Sequence, residues 1–219
     1  MKYILSVFLL LITLFVAFHI PSFAKNHKPS TIIIVIDPGH GGVDPGKVSK
    51  TGVEEKDINL EIAFYLKEYL SSQDFVVYMT REDDSGLYEE SASNKKTSDL
   101  NNRIRFMKTH DADCFVSIHQ NSYPDETISS AQVFYNGEGT ELAEYIQSSL
   151  LSVDPQNHRA AKFSSDYFLL KNATIPSVIV ECGFLSNPTE ASKLTDDSYQ
   201  KQLAYAICIG ICQYFSKNK

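Results

Sequence analysis

The sequence predicts an α/β fold, a three-layer sandwich with a mostly parallel sheet flanked by helices. Two patterns carry that expectation. Short runs such as Ile32-Ile33-Ile34-Val35-Ile36 and Ser177-Val178-Ile179-Val180 are almost wholly apolar and β-branched, as in strands buried on both faces and therefore parallel. Between such runs lie longer stretches whose apolar residues recur at helical spacing. Composition agrees: 43% hydrophobic and 21% charged residues over 219 positions suit one globular domain and exclude a disordered chain or a polytopic membrane protein. With 27 Asp+Glu against 20 Lys+Arg there is no basic field for nucleic acid.

Residues 1–24 stand apart. Lys2 precedes an uncharged run from Tyr3 to Phe18, and Ser22 and Ala24 occupy small-residue positions before the polar run at Lys25. This is the layout of a signal peptide cleaved after Ala24, or of an uncleaved N-terminal membrane anchor, and it implies export. Residues 25–31 then form a short linker and 32–217 a single domain, with membrane contact only through residues 1–24.

The elements follow in order. The first strand spans residues 32–36 and runs into Asp37-Pro38-Gly39. Ile58, Ile62, Leu66 and Tyr69 mark an amphipathic helix from about residue 55 to 71. Residues 75–79 are a strand, 83–98 a polar loop, and 99–109 a helix with Leu100, Ile104 and Met107 on one side. Residues 114–118 form a third buried strand, and 131–135 a short one that is a candidate for a sheet edge. A helix over 141–151, a buried strand over 177–180 and a closing helix over 198–215 complete the chain. Cys114, Cys182, Cys208 and Cys212 lie in apolar segments without a CxxC pair, so they fit small buried hydrophobes better than disulfides or thiolate ligands.

Three of the buried strands run into ionisable groups: Asp37-Pro38-Gly39-His40-Gly41-Gly42, His119-Gln120-Asn121-Ser122 and Glu181-Cys182-Gly183. The carboxyl ends of strands are where open α/β sheets bind ligands. Glu55, opening the helix after the first strand, belongs to the same rim. Two histidines and a carboxylate are a known complement for catalytic zinc, with a fourth position left open. A second carboxylate can then move protons. Singly, each residue has a plainer role: a turn or strand-end histidine, a first-turn helix acid favoured by the macrodipole. Glu181 is hardest to dismiss, because a carboxylate closing so apolar a run needs a partner.

The motifs IDPGHGGVDPG (Ile36 to Gly46), GVEEKD (Gly52 to Asp57), SIHQNS (Ser117 to Ser122) and VECGFLSNPTE (Val180 to Glu190) closely resemble those of the zinc-dependent N-acetylmuramoyl-L-alanine amidases, the amidase-3 family. The resemblance covers about residues 32–215. It implies one Zn2+ on His40, Glu55 and His119, and Glu181 as the catalytic acid/base. The implied substrate is peptidoglycan, at the amide joining the lactyl group of N-acetylmuramic acid to L-Ala. Arg81, Arg103, Arg159 and Asn121 are candidates for binding the peptide stem. Gln120 to Ser130 is too short to carry the inhibitory helix that some members insert after the SIH motif. A short, single-domain, signal-bearing member looks like the spore-cortex type, which removes stems on the way to muramic-δ-lactam and is needed for germination. Such a protein works outside the cytoplasm, in the cell wall or spore envelope, and is open to an accessory or activating protein. Two alternatives stay open: another zinc peptidase acting on cell-wall peptides, and a weakly active wall-binding protein that needs a partner.

Overall fold

A computed structural model describes residues 31–217; the segment 1–24 and linker residues 25–30 lie outside the described residues. The strands are β1 (Ile33–Pro38), β2 (Val76–Met79), β3 (Cys114–Asn121), β4 (Gln132–Tyr135), β5 (Lys162–Phe163) and β6 (Ser177–Phe184). The helices are α1 (Glu55–Ser71), α2 (Lys95–Thr109), α3 (Thr140–Leu150), α4 (Phe168–Asn172), α5 (Pro188–Leu194) and α6 (Asp197–Lys217). The strands form one sheet in the order β2-β1-β3-β6-β4-β5. Every pairing is parallel except that of β4 with β6. This is the expected three-layer α/β sandwich. Among the described residues no helix is long and apolar enough to cross a membrane.

Because side chains alternate along a strand, each strand carries two programmes. Ile34 and Ile36, Val116 and Ile118, Val178 and Val180 share one face and pack with α1, α3 and α6 through Ile62, Leu66, Ile146, Leu203 and Ile207. Gly210 of α6 lies so close to the backbone of Ile146 that a Cβ there would clash, which lets the two helices meet closely. The opposite face carries Val35 and Phe115, covered by Ile104 and Met107 of α2 and Leu169 of α4. One step further along that same face come Asp37, Ser117 and His119, and on β6 Glu181 follows Ile179 by two. Period-two alternation therefore sends Asp37, Ser117, His119 and Glu181 to one face.

Several boundaries differ from expectation for local reasons. β3 and β6 do not stop at Ile118 and Val180: they continue to Asn121 and Phe184 with His119 opposite Glu181, and a bulge falls between His119 and Asn121. The two residues thus sit inside strands, rigidly, rather than beyond their ends. α2 begins at Lys95, because the Asn94 side chain accepts from Thr97 N at 3.0 Å and caps the helix. β4 is not an edge; the two-residue β5 covers it. β5, α4 and α5 carry too little apolar periodicity to be read from sequence. The cysteines are free, with Cys114, Cys182 and Cys208 buried and Cys212 partly so, as their apolar settings suggested.

Candidate active site and metal centre

The loop after β1 is built around His40, which adopts a left-handed backbone conformation (φ 64°) rare for a non-glycine residue. Two arginines hold it there. Arg103 uses all five N–H groups inside the protein: on Asp37, on Asp99 through both carboxylate oxygens, on Pro38 O at 2.9 Å and on His40 O at 2.7 Å. Arg81 donates to four backbone carbonyls, Pro38, Gly39, Lys56 and Asp83, at 2.8–3.1 Å. Both of these candidates for the peptide stem therefore have their guanidinium groups engaged within the protein. Their guanidinium groups are buried scaffolding for the loop, a role that residue type alone does not distinguish from ligand binding.

Asp37 is fully buried and accepts from Thr80 and Ser117, each at 2.6 Å, as well as from Arg103. Burial by itself would raise its pKa, but Arg103 and the two hydroxyls outweigh this and hold it below the ordinary value. Replacing Arg103 with Met leaves that carboxylate buried without its cation. The expected cost is about 3–5 kcal/mol of unfolding free energy by urea denaturation at neutral pH. A loss below about 1 kcal/mol would contradict the pairing.

His40, Glu55 and His119 each offer one ligand atom, and these atoms lie within 4.8 Å of one another, a group that could hold a metal ion. Glu55 Oε1 is the hub. It lies 3.2 Å from His40 Nε2 and 3.0 Å from His119 Nδ1, and accepts from Gln120 N at 2.9 Å. Oε2 accepts from Lys47 N at 2.8 Å. The remaining imidazole nitrogen of His40, Nδ1, meets Asp44 Oδ2 at 2.8 Å, which fixes the ring and turns Nε2 toward the centre. Asp44 was not singled out from sequence; its position four residues after His40, in GHGGVD, was the available signal.

His40 and Glu55 are both shifted toward their charged forms. Burial opposes charge on His40, yet its hydrogen bonds to the Asp44 and Glu55 carboxylates win and raise its pKa to about 9. Burial likewise opposes charge on Glu55, but the two histidines drive its pKa far below the ordinary carboxylate range. A cation bound there would compete with a proton on His40. The cradle is shaped accordingly. A Cβ at Gly39 would overlap the His119 imidazole, and one at Gly46 would crowd Glu55 and His40.

Glu181 faces this group from β6. Its Oε1 accepts from the Tyr167 hydroxyl at 3.1 Å, and its Oε2 is buried with no partner among the described residues. Burial pushes its pKa up, against the pull of His119 and the Tyr167 hydrogen bond. Tyr167 had no sequence signal, since it precedes a five-residue helix. Arg159 lies over the Phe184 ring at 5.1 Å and donates to Ser129 O at 2.9 Å and Gln132 Oε1 at 3.2 Å. Gln132 is the β4 partner of Glu181 in register. Asn121 caps the turn through Oδ1, which accepts from Ser122 N at 2.8 Å. A cavity of about 330 Å³ opens beside His40 and His119, lined also by Tyr88, Lys95, Lys96 and Leu100.

The sequence model of N-acetylmuramoyl-L-alanine amidase, Amidase_3, matches residues 34–213. The chain belongs to this family. It is 40% identical to the germination-specific N-acetylmuramoyl-L-alanine amidase of Bacillus subtilis over 191 residues, 84% of this chain and 80% of that protein. Among solved structures it resembles the CwlD amidase of Clostridioides difficile, determined in complex with the GerS lipoprotein. The TM-score is 0.82 at 43% identity, over 85% of this chain and 100% of that one. The amidase AmiC2 of Nostoc punctiforme follows with a TM-score of 0.76 at 28% identity, over 84% and 97%. The amidase family fixes the reaction class as hydrolysis of the amide between N-acetylmuramic acid and L-Ala, a bond of peptidoglycan.

The motif VECGFLSNPTE divides by role. Asn187 caps α5, accepting from Thr189 N and Glu190 N. Glu190 accepts from Phe184 N at 2.8 Å and Ser130 N at 2.9 Å, tying the end of β6 to the segment before β4. Of these three residues, Glu181 is the one that faces the His40–Glu55–His119 group.

Proposed function

We propose that this amidase is zinc-dependent, with one Zn2+ held by His40, Glu55 and His119, and that Glu181 is its general acid/base. The observation that carries this reading is the convergence of three ligand atoms within 4.8 Å, with Glu181 the in-register neighbour of His119. Two imidazole nitrogens and a carboxylate oxygen suit zinc. Zinc bound there supplies Lewis acidity for the scissile carbonyl and for an attacking water. The chain's own residues do the rest. Asp44 holds His40 in the tautomer that presents Nε2, and Glu55 is aligned by Lys47 N and Gln120 N. Glu181 takes a proton from the attacking water and returns it to the L-Ala nitrogen as the C–N bond breaks, leaving a lactyl carboxylate and a free amino terminus. Its raised pKa suits a group that must both accept and give a proton near neutrality. Arg159, with Ser129 O and Gln132 Oε1 as its hydrogen-bond partners, and Asn121, at the end of β3 two residues after His119, are the stem-binding candidates.

The likeness to a germination-specific relative supports a role in spore-cortex maturation, where stem removal precedes muramic-δ-lactam formation. It also supports an extracytoplasmic site of action, reached through residues 1–24 as signal or anchor. That the Clostridioides difficile relative was solved with a lipoprotein supports an accessory partner here. The test is to digest cortex and vegetative peptidoglycan and identify new termini by mass. Free L-Ala amino termini with intact glycan are expected. D-amino acid release would favour a carboxypeptidase-like enzyme, and an absence of cleavage without a partner would favour the wall-binding alternative.

A further inference from the structure

Resting on the reading of Glu181 as acid/base, we propose that Tyr167 is a positioning residue that pins one oxygen of Glu181 and leaves the other to carry the proton. The buried acids of this protein show what is distinctive. Asp37 accepts from Thr80 and Arg103 on Oδ1 and from Ser117 on Oδ2. Glu190 uses one oxygen on Ser130 N and the other on Phe184 N. Both are satisfied on both sides, as structural carboxylates are. Glu181 alone among the buried carboxylates described has an oxygen with no partner, and its other oxygen has one partner, the Tyr167 hydroxyl.

The fold goes to some length to bring that hydroxyl in. β5 pairs with β4 over two residues, and Ser164 N continues onto Tyr135 O at 2.9 Å. Asn136 Nδ2 holds Ser164 O at 3.1 Å. The Tyr167 ring packs on Phe134 of β4 with centroids 5.2 Å apart, and its backbone carbonyl receives Lys171 N in the first turn of α4. The ring is therefore gripped from the sheet and from the helix, and its hydroxyl reaches across to β6. Burial and the neighbouring Glu181 charge raise the phenol's pKa, so it stays a donor throughout the working pH range. A carboxylate anchored through one oxygen keeps its plane and aim, so whichever oxygen is left free faces the reacting groups.

The experiment is steady-state kinetics of the full-length, zinc-loaded enzyme on a soluble disaccharide-peptide, comparing the parent with Tyr167→Phe in two backgrounds. In the parent background, kcat should fall about tenfold with KM within twofold and zinc content unchanged. In a Glu181→Asp background, whose carboxyl stops a methylene short of the hydroxyl, Tyr167→Phe should change kcat less than twofold. A parental kcat for Tyr167→Phe overturns the proposal. So does a tenfold loss that persists with Glu181→Asp, since a purely structural tyrosine acts independently of the carboxylate's reach. Failure of the functional reading itself would show differently, as a parent enzyme that releases no L-Ala terminus.

Discussion

Replacing Glu181 with Gln is expected to lower kcat by about 10²–10⁴-fold while bound zinc stays at the parental level. The amide matches the carboxylate in volume and can still accept from Tyr167, so the pocket keeps its shape. What it loses is the ability to take a proton and hand it on. Thermal stability should hold or rise slightly, because the buried ionisable group it removes is one that burial already penalises. Kinetics on a soluble muropeptide, zinc analysis of the same sample and a thermal melt separate these effects. A Glu181→Gln enzyme that cleaves at the parental rate would move the proton-transfer role to another residue.

Glu55→Ala should act in the opposite way, through the metal. Its Oε1 is the shared acceptor for His40, His119 and Gln120 N, and its Oε2 satisfies Lys47 N. Without it two imidazoles face each other with no carboxylate between them. Bound zinc and activity are expected to fall together to background. Stability should drop as well, by about 1–3 kcal/mol for the buried donors left unmade. Zinc analysis after gel filtration, with a urea titration alongside, reads both. Zinc content equal to the parent's would place the ligand elsewhere.

The strand and helix pattern was legible because it is a matter of period. Runs such as Ile34-Val35-Ile36 and Val178-Ile179-Val180 leave no choice but burial on both faces, and Ile58, Ile62 and Leu66 leave no choice but a helix. The pieces missed have no period to read. β5 is two exposed residues held by backbone pairing, and α5 owes its start to one capping side chain, Asn187. In the site, the three candidate ligands could be singled out because His40 and His119 stand where strands turn polar and Glu55 opens the helix after the first strand. The roles of Arg81 and Arg103 could not be assigned from sequence for a physical reason. A guanidinium that binds a ligand and one that binds loop carbonyls need the same five donors, and only the fold shows that Pro38, Gly39 and His40 occupy them. Tyr167 was invisible because its partner is brought to it by pairing across β4 and not by spacing in the chain.

Zinc titration of the metal-free protein tests the central claim most directly. Initial rates of L-Ala terminus formation, plotted against bound zinc, should rise linearly and break at one zinc per chain, and a His119→Ala chain should show no rise. A metal-free protein with full activity, or an unchanged break in the His119→Ala chain, would contradict a catalytic zinc on His40, Glu55 and His119.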